Sequence, residues 1–260
     1  MSNEKPLGCL FLVPAPLDFG CDSQSPLTDV LPEHTLRTAA GLTHWISENA
    51  KSARAYLKRI DALFPLAAPL QAQAIQELPR EAHKKGDHGG KGSAQFDAKS
   101  LLAPALAGHN MGLVSEAGMP AVADPGSSIV RAAHDAGITV IPLIGPVSLL
   151  LTLAASGLNG QNFAFVGYLP QDSSARTQRI KELEGLSQRI NQAQLFIETP
   201  YRNPALWQAL LSSLQPNTRL VMASGLTLSS ATVQSRTVRD WKKLGTMPDK
   251  STPVVFALGQ

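Results

Sequence analysis

The chain has 260 residues, of which 43% are hydrophobic, enough to bury one large core or two ordinary ones and too many for a disordered protein. Its net charge is only +3 with acidic and basic residues interspersed, which excludes the uniformly basic face of a small nucleic-acid-binding module and confines any polyanion contact to a local patch. The cysteines Cys9 and Cys21 have no spacing suited to zinc or redox chemistry, and such sparse cysteine use fits a reducing, cytoplasmic setting.

Taken in chain order, residues 7–16 have the length of a signal-peptide core. Pro14 and Pro16 interrupt the run and no clean cleavage pattern follows, so it reads as a buried strand over 9–13. Glu48 stands at the end of a short strand and the start of a helix predicted over 49–63. Residues 80–92 are polar, glycine-rich and without apolar period, the signature of a mobile surface loop. A helix over 96–107 and a strand over 111–115 follow, then a helix over 127–136 and a strand over 139–142, with Gly108 and Gly137 placed to stop the two helices. Residues 138–158 are uncharged and long enough to span a bilayer, but Pro142, Gly145 and Pro146 divide them into a strand, a tight loop and a helix over 147–156. No membrane segment is expected. Strands over 163–166, 194–197, 219–223 and 253–257 then alternate with helices over 174–190 and 204–214, the latter with Asn203 as a capping side chain before Pro204. The alternation predicts α/β architecture with largely parallel sheets covered by helices. The strand–helix series restarts near Gly145, which divides the chain into an N-terminal α/β domain over 1–145 with a mostly parallel sheet and a C-terminal α/β domain over 146–260 with a mixed sheet.

The densest chemical signal runs from Leu113 through Ser115, Glu116, Ala117, Gly118, Met119 and Pro120 to Asp124, Pro125 and Gly126: a strand ending in small and turn-forming residues before a new helix. In an open parallel sheet, ligands bind outside the carboxyl ends of strands, and glycine there lets backbone approach the ligand. An ordinary strand-to-helix connection would look the same.

Residues 115–126 resemble the SDAGTPxxSDPG signature of the ribosomal RNA methylase branch of the tetrapyrrole methylase family. Arg131-Ala132-Ala133 falls on that family's next helix. Gly145-Pro146-Val147-Ser148 resembles its PGPSA turn, and Ala155-Ser156-Gly157-Leu158 its SASGL. Residues 163–170, reading FAFVGYLP, are similar to FxFxGFLP, and Glu198-Thr199-Pro200-Tyr201-Arg202 to ESPHR. The matches keep order and spacing over residues 101–202.

The resemblance implies two α/β domains with S-adenosylmethionine folded into the cleft between them. It implies cofactor contacts from Pro14 and Pro16, from Ser115, Glu116, Ala117 and Gly118, from Gly145, Pro146 and Ser148, and from Tyr168, Leu169 and Tyr201. It also implies a homodimer whose acceptor is a ribose hydroxyl of small-subunit ribosomal RNA. The sulfonium already activates the methyl group, so positioning should dominate catalysis, with a general base removing the hydroxyl proton. Glu48, where the family has AEDTR, is the candidate base; a carboxylate that merely complements the helix N-terminus is the competing reading.

Departures from the pattern fall on the substrate side. TPIGN appears as Ala15-Pro16-Leu17-Asp18-Phe19, the second acid of AEDTR is Asn49 and its arginine Lys51, and RELTK reads Ser224-Gly225-Leu226-Thr227-Leu228. Two rivals therefore stay open: a methyltransferase of the same fold acting on a small molecule such as a tetrapyrrole, and a non-catalytic cofactor-binding scaffold. RNA activity would depend on the loop over 80–91, where His83, Lys84, Lys85, His88 and Lys91 could grip phosphates, and would fall with salt; a solvated loop with incidental charge is the competing and favoured reading. That loop does not have the glycine spacing of a phosphate-binding loop, and Lys91 is followed by Gly92 where a P-loop has serine or threonine. No histidine pair has metal-ligand spacing with a third donor, so no metal is expected. Ser115 has no identifiable base partner for nucleophilic hydrolysis.

Overall fold

The computed structural model describes residues 6–79 and 97–260, and the predicted loop at 80–92 lies outside them. The chain divides into two compact units, one built from residues up to Phe19 and from Ser25–Pro146, the other from Gly20–Gln24 and Val147–Gln260.

The first unit is a parallel sheet of β1 (Leu10–Leu12), β2 (His44–Ser47), β3 (Ala74–Glu77), β4 (Met111–Val114) and β5 (Val140–Pro142) in the order β3-β2-β4-β1-β5. Helices α1 (Leu27–Val30), α2 (Glu33–Ala40) and α3 (Ala50–Asp61) cover one face with Leu27, Leu36, Tyr56, Leu57 and Ile60, packing on Phe11, Trp45, Ile75 and Val114. Helices α4 (Ala103–Leu106) and α5 (Ser127–Asp135) cover the other, with Ala105, Ile129 and Ala133 against Leu10, Ile46, Met111 and Leu113. Apolar residues on both faces of each strand are what a doubly covered parallel sheet requires. The connection leaving β1 thus runs over one face and the connection from β4 to β5 over the other. Adjacent strands whose loops diverge make a topological switch point, and the crevice at their carboxyl ends is where ligands sit in such sheets.

The second unit holds a mixed sheet of β6 (Phe163–Tyr168), β7 (Ala193–Ile197), β8 (Arg219–Ser224), β9 (Thr232–Thr237) and β10 (Val254–Gly259), ordered β6-β7-β10-β8-β9, with only β6 and β7 parallel. Helices α7 (Ser173–Ile190), α8 (Asn203–Ser213) and α9 (Val238–Leu244) bury Ile180, Leu183, Leu206, Trp207, Leu210 and Trp241 against Phe196, Leu220 and Phe256 on one face. Helix α6 (Ser148–Ser156) lies on the other face through Leu149 and Leu153.

Two expectations are corrected. The described part of the helix predicted over 96–107 is a 3-10 turn at Ser100–Leu102 followed by the single α-helical turn α4, because Pro104 has no N–H to continue a hydrogen-bonded run and is tolerated only in a first turn. Asn203 does not cap α8: it is the first helical residue, fully buried, and its amide donates to the Thr252 carbonyl at 3.3 Å.

Candidate functional site

In the first unit three loops meet at the carboxyl ends of β1, β4 and β5. After β1, the backbone of Ala15 exchanges hydrogen bonds in both directions with Gly118 after β4, at 2.9 and 3.0 Å, so the two loops are cross-tied one residue beyond the buried Pro14. Gly118 has φ +73, a conformation that side chains other than glycine resist. After β5, Gly145 presses on Pro14: a Cβ there would lie 2.3 Å from Pro14 Cγ and 2.9 Å from Leu31 Cδ2. The turn is further held by Thr35, whose hydroxyl donates to the Ile144 carbonyl at 2.8 Å, and Pro14 by Tyr56, whose hydroxyl donates to its carbonyl at 2.8 Å. Pro16 and Pro146 are buried beside these contacts in sequence.

Glu48 follows β2 and accepts the Glu116 backbone N–H at 3.4 Å, while Glu116 accepts the Ser52 hydroxyl at 3.2 Å. The N-terminus of α3 is served by other groups: Asn49 accepts from Lys51 and Ser52 N–H, and Glu77 accepts the Ala50 N–H at 2.7 Å. Asn49, where the resembled family has its second acid, is therefore a helix cap here. Ala117 is half-buried. Ser115 is 5% exposed and its hydroxyl has no partner, as has that of Ser47 at 1% exposure. Unpaired buried hydroxyls cost free energy and accumulate where a ligand completes the bonding.

The loop from β4 to α5 contains a residue to which the sequence assigns no role of its own. The Asp124 carboxyl is pushed up to about 8, first by burial and then by the negative charges of Glu48 and Glu116. Three carboxyl groups thus gather where β2 and β4 end, one of them on the residue that follows Ser115. The loop is also strained: Ala121 and Ala123 have φ +64 and +65, conformations costly for residues with a Cβ and typical of functional loops. The signal in the sequence was Asp124 between Ala123 and Pro125 in a stretch with no apolar period, which marks a turn without revealing a buried acid. Among the described residues no group of three or more His, Cys, Asp or Glu could hold a metal ion, and no helix is long and apolar enough to cross a membrane.

In the second unit Ser148 is the first residue of α6, accepting the Thr152 hydroxyl at its carbonyl. Tyr168 ends β6 beyond a bulge, is 56% exposed and pairs with Ile197; Leu169 turns into the core at 3% exposure. Tyr201 lies in the 3-10 turn Pro200–Arg202 after β7 and is 63% exposed.

Against known proteins, the profile of the family described as Tetrapyrrole (Corrin/Porphyrin) Methylases matches residues 46–241. Curated relatives include ribosomal RNA small subunit methyltransferase I of Vibrio cholerae, 35% identical over 140 residues that make 54% of this chain and 47% of that protein. The protein of the same name in Leptospira biflexa is 28% identical over 87% of this chain and 81% of its own. The chain spans about half the length of the first curated relatives it matches. Among solved structures, the methyltransferase CobJ superposes with TM-score 0.56 at 16% identity over 97% of this chain and 94% of its own. Native uroporphyrin III C-methyl transferase from Thermus thermophilus superposes with TM-score 0.53 at 15% identity over 97% and 98%. With the profile running from β2 to α9 and the two-sheet fold shared, the chain belongs to the tetrapyrrole (corrin/porphyrin) methylase family.

Proposed function

We propose that the protein is an S-adenosylmethionine-dependent methyltransferase that methylates a ribose 2′-hydroxyl of small-subunit ribosomal RNA, as a cytoplasmic homodimer. The observation that carries the reading is the group of Glu48, Glu116 and Asp124 at the carboxyl ends of β2 and β4, with the orphan hydroxyl of Ser115 on the residue before Glu116. These residues fit the cofactor: it bears a sulfonium and an ammonium against a single carboxylate, and the orphan hydroxyl supplies a polar contact. When bound, it supplies a methyl group already activated for transfer. The loops carrying Pro14, Pro16, Ser115, Glu116, Ala117, Gly118, Gly145 and Pro146 would hold it. The share of Ser148 and of the backbone of Tyr168 and Leu169 is supported by the resemblance alone. Glu48, held by the Glu116 N–H, is the group to accept the ribose proton; Asp124, protonated up to about pH 8, keeps the local negative charge from rising further. The names of the relatives support ribosomal RNA as the acceptor.

Dimerisation is supported by the α6 face of the second sheet. Helix α6 packs on β9 and β10, whereas Phe163 and Phe165 of β6, on the same face, are 43% and 37% exposed. The outer side of α6 shows Leu150, Leu151, Ala154 and Ala155 with no charge among them, a surface suited to a second copy about a two-fold axis.

The test is calorimetric titration with S-adenosylmethionine and S-adenosylhomocysteine, followed by transfer of labelled methyl to small ribosomal subunits. A bulky residue at Gly118 would break the loop's backbone, so Ala117→Trp is the better obstruction; it should abolish binding while the protein stays folded. A folded wild type that binds neither compound overturns the reading.

A further inference from the structure

Two of the chain's three tyrosines, Tyr168 and Tyr201, stand at the carboxyl ends of the adjacent parallel strands β6 and β7, and both are more than half exposed, at 56% and 63%. Between them in chemistry lies Arg202, and it is immobilised. Its Nε and Nη2 donate to Glu198 Oε1 at 2.9 and 2.7 Å, and its Nη1 donates to Tyr201 Oη at 2.8 Å. Its guanidinium carbon is 5.0 Å from the centroid of the Tyr201 ring. Glu198 is 7% exposed and also accepts the N–H and hydroxyl of Thr199, so the carboxylate that anchors the arginine is itself fixed. Tyr168 pairs with Ile197 of β7, four residues before Tyr201, so the two tyrosines stand at the same end of the sheet.

Burial of an aromatic ring is favourable, so two tyrosines more than half exposed at one sheet end, with a guanidinium held in one orientation, form a surface with apolar area still open to a ligand. Its chemistry is that of planes: phenol rings and a flat delocalised cation accept any base that can be laid against them, whatever its sequence. Glu198 neutralises the charge of Arg202, so this surface attracts by stacking and not by pulling on phosphates.

We propose that Tyr168, Tyr201 and Arg202 form a stacking platform for an unpaired nucleobase of the RNA acceptor. The proposal rests on the RNA methyltransferase reading, deepens its substrate side, and takes the Tyr201 ring away from the cofactor role that the resemblance gives it.

The test titrates the full chain into a short fluorescein-labelled oligoadenylate and follows anisotropy, for wild type, Tyr201→Ala, Tyr201→Phe and Tyr168→Ala, with S-adenosylhomocysteine titrated calorimetrically into wild type and Tyr201→Ala. Each alanine variant should bind the oligonucleotide about tenfold more weakly. Tyr201→Phe, which keeps the ring, should bind nearly as wild type. The ratio between wild type and Tyr201→Ala should be the same at about 50 and about 200 mM salt, unlike a lost phosphate contact. S-adenosylhomocysteine should bind Tyr201→Ala as it binds wild type. Wild type that binds S-adenosylhomocysteine but not the oligonucleotide, alanine variants that bind RNA unchanged, or Tyr201→Ala that loses S-adenosylhomocysteine instead would each overturn the platform and leave the methyltransferase reading standing. Wild type that binds no S-adenosylhomocysteine would sink that reading first.

Discussion

Asp124 makes its own pH experiment. Its carboxyl is raised in the folded chain, from the ordinary carboxylate range to about 8, so its contribution to stability is complete below about pH 4 and is lost as pH rises through about 8. Urea unfolding across that window should show wild type losing up to about 1.4 kcal/mol per pH unit relative to Asp124→Asn. Parallel profiles for the two proteins would mean that the carboxyl is not held protonated. For Glu48→Gln, methyl transfer should fall by about 10²- to 10⁴-fold with S-adenosylhomocysteine affinity little changed, the signature of a proton acceptor and not of a cofactor ligand. At this scale the sequence showed the strand-end loop and its glycines, because small residues before a helix have a backbone reason to be there. It did not show the acid group: Glu48, Glu116 and Asp124 are 68 and 8 residues apart along the chain and share an environment only through the β2–β4 pairing.

At the scale of elements, two contacts of the first unit are open to direct test. Trp45 of β2 lies against Gly112 of β4 so closely that an added Cβ would come within 2.4 Å of its ring. Gly112→Ala should destabilise by about 1–3 kcal/mol, measured by denaturant midpoint, since a fully buried tryptophan flanked by core has nowhere to move. Arg59 of α3 meets Asp18 with two 2.9 Å hydrogen bonds and also donates to the Ser25 carbonyl at 2.7 Å, clasping the base of the loop that follows β1. Asp18 is 2% exposed, so Arg59→Leu strands a buried carboxylate and should cost about 3–5 kcal/mol. The strong strands and long helices were legible because their apolar residues repeat at the right period. Strand β9 was not: Thr232–Thr237 reads TVQSRT, exposed or half-buried throughout, and its pairing with β8 supplies what its composition does not. Helix α2 was missed for its brevity and its proline cap.

For the whole molecule, the apolar outer side of α6 predicts that Leu151→Lys shifts sedimentation from dimer to monomer and removes the dependence of the unfolding midpoint on protein concentration. A variant that still sediments as a dimer would place the interface elsewhere. The α/β class followed from alternation alone, but the strand orders did not, because they depend on pairings between segments far apart in sequence. One such pairing also governs how the chain is made. Strand β1 is flanked in the sheet by β4 and β5, with Leu10 beside Met111 and Val140. On the ribosome, β1 emerges before β4 and β5 and must wait for about 100 further residues, about 5–20 s at ordinary rates of synthesis, before either neighbour exists. For that interval an apolar strand with both edges unpaired is displayed to the cell. Nascent chains of this protein should therefore engage a holding chaperone early and release it only once β5 has been translated.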